Sequence, residues 1–146
     1  MKKALQTLLA LFALGAVAVQ GQQSERFDRY ELHHSVVYTT FLSAEVAARY
    51  GIVRGHDKAM LTLSVRDADA EGLAGIPMEI SGKTWDLIQS QTLALQEIRE
   101  GTATYYIAPF EFIDREWRFF EFDFQPEGSE QAYHYKFKTQ LWKQDP

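Results

Sequence analysis

The sequence contains no cysteine. No disulfide can staple the fold, even in an oxidising compartment, and no thiol can serve as a nucleophile. The lipid-bearing cysteine of a bacterial lipoprotein is excluded on the same ground. Other chemistry is missing too. There is no Gly-x-Ser-x-Gly elbow, and no serine stands in a context that marks it as a nucleophile. Gly72 and Gly75 lack the strand-to-helix setting of a phosphate cradle. The dense Met/His clusters of a copper-handling sandwich are absent, as are internal repeats and low-complexity tracts. These absences argue against an enzyme and imply no cofactor.

Long apolar runs are also scarce. The one that exists, Ala4 to Val19, follows Lys2 and Lys3 and gives way to Gln20-Gly21-Gln22-Gln23. A positive start, a short apolar stretch and small residues at its end make a secretory signal peptide. The run falls short of the roughly twenty residues that a membrane-spanning helix needs. Cleavage is expected after Gly21, with Ala18 as the second choice. The chain is thus divided into a signal peptide over 1–21, a loose tether over 22–27 and one domain over 28–143. The expected location is the periplasm, with no membrane insertion after cleavage. Losing Lys2 and Lys3 makes the net charge two units more negative than the −5 of the full chain. A net-negative domain argues against nucleic acid and against anionic membrane surfaces as partners.

What remains is patterned for strands. Tyr30, Leu32, His34, Val36 and Tyr38 alternate with Glu31, His33, Ser35, Val37 and Thr39. That is period two, rich in aromatic and β-branched residues. A second strand runs from Met60 to Arg66, and Pro77 opens another where its missing N–H costs least. Leu93–Glu100 and Thr102–Ala108 flank Gly101 as a hairpin. Trp117–Phe124 and Ala132–Trp142 form the next, while Trp85–Gln91 is ambiguous and holds a bend. One short helix lies near residues 43–50. Ser43 is its N-cap, Leu42 and Ala47 form a hydrophobic staple, Glu45 faces the positive dipole end, and Gly51 closes it. About seven strands with turns at short intervals read as an all-β, immunoglobulin-like antiparallel β-sandwich carrying one short helix.

The segments FDRYELHHSVVYTTFL, EVAARYGIVR, AMLTLSV and REGTATYYIA resemble those of a family of small exported proteins of Gram-negative bacteria, known only as a domain of unknown function. The resemblance is most specific at Tyr50-Gly51-Ile52-Val53-Arg54. It implies an envelope location and a sandwich fold, and it supplies no catalytic residues.

Five sets of residues are weighed for function. Asp67, Asp69, Glu71 and Gly72 occupy positions 1, 3, 5 and 6 of a calcium-loop pattern, but position 12 is Met78 where a bidentate Glu is needed. The acidic loop is read as a solvated turn, with calcium-type binding through Asp67, Asp69 and Glu71 as the alternative. His33 and His34 are strand neighbours, so their rings point to opposite faces and cannot converge on one ion. Glu121 and Asp123 share a strand face about 7 Å apart, near glycosidase spacing, yet nothing beside them marks a raised pKa. In Trp117–Phe124, Phe120, Phe122 and Phe124 form the core row, leaving Trp117 and Phe119 as a candidate binding platform on the other face. Arg54 is either an anchor for an anion or partner, or a brace on the corner after the helix. The leading expectation is a non-enzymatic periplasmic module that binds an unidentified protein partner through a sandwich surface or strand edge. A small-ligand or metal-ion binder is the alternative.

Overall fold

A computed structural model describes residues 20–72 and 74–145. The elements in order are β1 (Gln20–Phe27), β2 (Tyr30–Tyr38), a 3-10 turn (Thr39–Phe41), α1 (Ala44–Arg49), β3 (Lys58–Asp67), β4 (Met78–Trp85), β5 (Ser90–Thr92), β6 (Gln96–Glu100), β7 (Ala103–Glu111), β8 (Trp117–Pro126) and β9 (Tyr133–Gln140). The strands pair antiparallel in two sheets, β1-β2-β3-β7-β6 and β5-β4-β8-β9, which face each other as a β-sandwich.

Period-two patterning decides what lies between the sheets. The inner row of β2 (Leu32, His34, Val36) meets Leu61, Leu63 and Val65 of β3, and from the other sheet Phe120, Phe122 and Phe124 of β8. Rings interlock across the gap: Phe110 meets Phe120 edge-on with centroids 5.1 Å apart, and Phe120 stacks on Phe137 at 4.6 Å. Burial of these rings is the main stabilising term, since each removes a large apolar area from water.

The helix has a separate task. Ser43 caps it, its hydroxyl oxygen accepting from the Val46 amide at 3.1 Å. Six helical residues are too few to persist alone. They persist because Leu42, Val46, Ala47 and Ile52 are buried against Met60, Ile98 and Ile107 on the outer face of the five-stranded sheet. Gly51, at φ 67°, makes the left-handed corner that sends the chain into β3. The five-stranded sheet is therefore covered by the helix over part of its outer face, around Met60, Ile98 and Ile107, whereas the outer row of the four-stranded sheet (Lys83, Asp123, His134, Lys136, Lys138) is exposed.

Two boundaries differ from expectation. The tether expected over 22–27 belongs to strand β1, with Gln23–Phe27 paired against Tyr30–His34. QGQQSERF has almost no apolar alternation. It pairs through backbone groups at a sheet edge, where side-chain pattern is weakly required. With β5, a three-residue edge strand inside the stretch read as a bend, the count rises to nine strands among the described residues. The strand expected over Leu93–Glu100 begins only at Gln96. The expected signal peptide lies outside the described residues except for Gln20 and Gly21. Regular β1 pairing starts at Gln23, after an irregularity.

The register gives the sandwich two distinct ends. At one, Tyr38 stands at the close of β2, Trp117 pairs with Gln140, and the Trp142 amide donates to the Tyr38 hydroxyl at 3.0 Å. At the other, the Asp28 carboxylate accepts from Gln131 and from the Tyr133 hydroxyl, and the Gly75 amide donates to the Thr102 carbonyl.

Candidate functional site

Three tryptophans mark the first of these ends. Trp85 closes β4 on its outer row and pairs with Phe119, which pairs in turn with Lys138. Because side chains alternate along each strand, Trp85, Phe119 and Trp117 share the outer face that no helix covers. The rings of Trp85 and Phe119 lie stacked, 5.6 Å between centroids and 13° between planes. Two ammonium groups sit over this surface, Lys83 at 5.2 Å from the Trp85 ring and Lys138 at 4.7 Å from the Trp117 ring. Such cation–π pairs hold lysine stems flat across the aromatic planes and keep the charges beside them. Farther along the face, Glu121 is approached by His134, Lys136 and Lys83 at 3.1, 3.8 and 3.9 Å.

Beyond Trp85 the chain turns through Asp86-Leu87-Ile88-Gln89 into β5. Leu87 and Ile88 are 86% and 81% exposed. The turn that carries them is tied down. One Asp86 oxygen accepts from the Ile88 and Gln89 amides, both at 2.8 Å, and the Asp86 amide donates to the Gln89 carbonyl. The other oxygen takes the Arg118 guanidinium at 2.7 Å, in a pair whose side chains are only 1% and 2% exposed. Arg118 also donates to the Thr84 hydroxyl at 2.8 Å and lies 5.5 Å from the Phe110 ring centre. Burial pushes the Asp86 carboxyl up, but the Gln89 and Ile88 amides and the Arg118 charge together hold it below its ordinary value.

The exposed large hydrophobics among the described residues are Val53, Leu87, Ile88, Trp117 and Trp142. Each lies at the tryptophan end or in the corner beside it. A cleft of about 440 Å³ joins that corner to the β5 edge and is lined by Val53, Pro109, Phe110, Gln91 and the Lys58–Glu111 pair. The opposite end is polar and acidic, with Asp28, Asp67, Asp69, Glu71, Glu127 and Glu130 in its turns.

The residues singled out from sequence are dispersed. Trp117 and Phe119 stand on the aromatic face, Trp117 exposed and Phe119 half-covered by Trp85. Arg54 is at the corner, donating to the Thr40 and Thr39 carbonyls at 3.1 and 3.4 Å, which braces the turn preceding the helix. Asp67 and Asp69 are turned onto Arg29 and Arg26, and Asp67 accepts from the Asp69 amide at 3.0 Å. Glu71 is exposed. The histidines do not converge. His34 points inward to the Tyr135 hydroxyl at 3.1 Å, with its pKa pushed down to about 4 by burial and by His33. His33 faces the other way, 3.3 Å from Glu31. His134 bonds Asp123 at 2.7 Å. Among the described residues, no three His, Asp or Glu side chains are grouped so as to hold a metal ion.

Sequence reasoning missed Trp85, Leu87, Ile88 and Trp142. A signal existed for the first three: in WDLI, an apolar doublet directly after an acidic residue breaks the period of two and sits at a turn.

Residues 24–144 match the family described as domain of unknown function DUF4426. No curated protein matches the chain in sequence. Among solved structures, a DUF4426 family protein from Pseudomonas aeruginosa is 24% identical, with a TM-score of 0.73 over 86% of this chain and 98% of that one. Two structures of FetP from uropathogenic Escherichia coli, one a copper-bound variant and one as isolated after periplasmic expression, are each 10% identical. Their TM-scores are 0.61 and 0.60, over 84% of this chain and 95% of theirs. These likenesses show the fold. The copper belongs to FetP.

Proposed function

From the premise that the chain belongs to the DUF4426 family, we propose that it is a non-enzymatic binding module of the bacterial envelope, working through the aromatic face at the tryptophan end. The observation that carries this reading is the uncovered stack of Trp85 on Phe119 between Lys83 and Lys138. Most exposed apolar groups on a protein are scattered singly, and contiguous ones mark interaction sites. Aromatic planes flanked by cations suit a ligand that presents an apolar surface beside negative charge.

Location in the envelope rests on the Lys2-Lys3 start and the short apolar run after it. No helix among the described residues is long and apolar enough to cross a membrane. A non-enzymatic role is supported by the state of the carboxylates. The pair with glycosidase-like spacing, Glu121 and Asp123, is engaged by His134 and two lysines on an open face. A calcium site in the acidic loop is disfavoured, because Asp67 and Asp69 already neutralise Arg29 and Arg26.

Site-specific photo-crosslinking tests the face directly. A photoreactive phenylalanine analogue at Phe119, activated in intact cells, should give envelope adducts that are absent when it replaces Glu71 at the acidic end. Equal labelling from both positions, or none from Phe119, would refute the reading.

A further inference from the structure

We infer that the tryptophan end docks on an anionic phospholipid bilayer, with Leu87 and Ile88 entering the acyl boundary and the tryptophans at headgroup level. This rests on the preceding reading that this end is a binding surface, and it names the occupant.

Shape is the first argument. Leu87 and Ile88 stand at a protruding turn with more than four-fifths of each residue open to water. A protein partner would have to supply a matching concavity, whereas a bilayer accepts a convex apolar tip of any outline. Rigidity is the second. The Asp86–Arg118 pair and the two amide bonds to Asp86 fix the turn, so little conformational freedom is lost when its side chains are immersed.

Chemistry and charge point the same way. Tryptophan prefers the membrane–water boundary, where its ring is half immersed, and lysine beside it meets phosphate. The chain's three tryptophans, Trp85, Trp117 and Trp142, are at this end, two of them under the ammonium groups of Lys83 and Lys138. Anions here do not outnumber cations: Asp86 pairs with Arg118 and Asp114 with Arg115, Asp57 and Glu111 share Lys58, and Glu116 and Asp145 are offset by Arg54, Lys138 and Lys143. The acidic excess lies at the far end, beyond the reach of a surface field that decays within about 10 Å in physiological salt. A net-negative protein can therefore sit on a negative surface when its charge is polarised between its two ends. Sequence-level net charge points the other way because it averages over both ends.

The test uses the processed protein recovered from the periplasm, shown by intact mass to lack its leader. It is mixed with vesicles of phosphatidylethanolamine and phosphatidylglycerol, and separately with vesicles of phosphatidylcholine alone. Co-sedimentation with the anionic vesicles is expected, with a blue shift of tryptophan emission. Leu87→Asp/Ile88→Asp should weaken binding at least tenfold while leaving the urea melt unchanged, since neither side chain packs in the core. Lys83→Glu/Lys138→Glu should weaken binding and remove its salt dependence. Wild-type protein that stays in the supernatant with both vesicle types overturns the proposal. If Phe119 crosslinks to a protein under that outcome, the bilayer is wrong and the binding face stands. Binding that survives the double aspartate change also overturns it.

Discussion

Asp86 is a small residue on which much of this surface depends, and its removal has a calculable cost. Arg118 and Asp86 are both almost fully buried, and the carboxylate is the acidic partner of that guanidinium. Asp86→Ala leaves a buried cation without its counter-charge, which costs about 3–5 kcal/mol. The Ile88 and Gln89 amides also lose their acceptor, but they can turn to water at the tip, so their addition is below about 1 kcal/mol. Against a total stability of about 5–15 kcal/mol, the variant should melt far earlier in urea at pH 7 with an unchanged slope. Arg118→Met/Asp86→Asn, which removes both charges, should cost less than the sum of its single changes, because neither charge is then stranded. The pH dependence has a definite sign. With the carboxyl held below its ordinary value in the fold, its contribution is full above about pH 4 and is lost as the pH falls further. The gap between wild type and Asp86→Asn should therefore be flat from pH 8 to about 5 and close below that. An Asp86→Ala protein within about 1 kcal/mol of wild type would refute the reasoning, by showing that water reaches Arg118.

Arg54→Ala should lower stability by about 1 kcal/mol in a urea melt, since its guanidinium serves two turn carbonyls at a partly wet site. Phe137→Asp should abolish cooperative folding, as the ring stacks on Phe120 and packs against His34, whereas exposed Lys136→Gln should stay within about 0.5 kcal/mol of wild type. Equal melts from those two would mean that the β9 register is wrong. His34 is neutral in the fold and protonates more readily when unfolded, so stability should be full above about pH 6.5 and decline towards pH 4, by up to about 3 kcal/mol. A His34→Phe variant should lack that decline when melts are repeated across the range.

The fold was legible where burial dictated pattern. In β9 and β8, one core face and one wet face force strict alternation, and the capped helix announces itself through Ser43 and Gly51. Strand β1 was not legible because an edge strand of QGQQSERF is chosen by backbone pairing, not by apolar side chains. The platform residues Trp117 and Phe119 followed from period two, but its third ring, Trp85, lay in a stretch whose periodicity ends at a turn. The core row of β8 carries a further clue. Extending the core row Phe124, Phe122, Phe120 by one more step lands on Arg118, a cation in an apolar row. A cation there demands a buried partner, yet sequence cannot say which of many acids supplies it.

The tie between the Trp142 amide and the Tyr38 hydroxyl bears on handling the protein. Gln20 pairs with Val36, two residues before Tyr38 on the same strand, so the domain is entered and left at one end. A tag joined directly before Gln20 or after Asp145 is attached at the tryptophan end and would mask a ligand in a binding assay. The sites for a reporter or an immobilisation handle are the turns at the opposite end, around Asp69 or Gly128, where the glycine already takes a positive φ and insertion displaces no core side chain. New termini opened at Asp69, with the old ones joined by a short linker, would present the tryptophan end unobstructed.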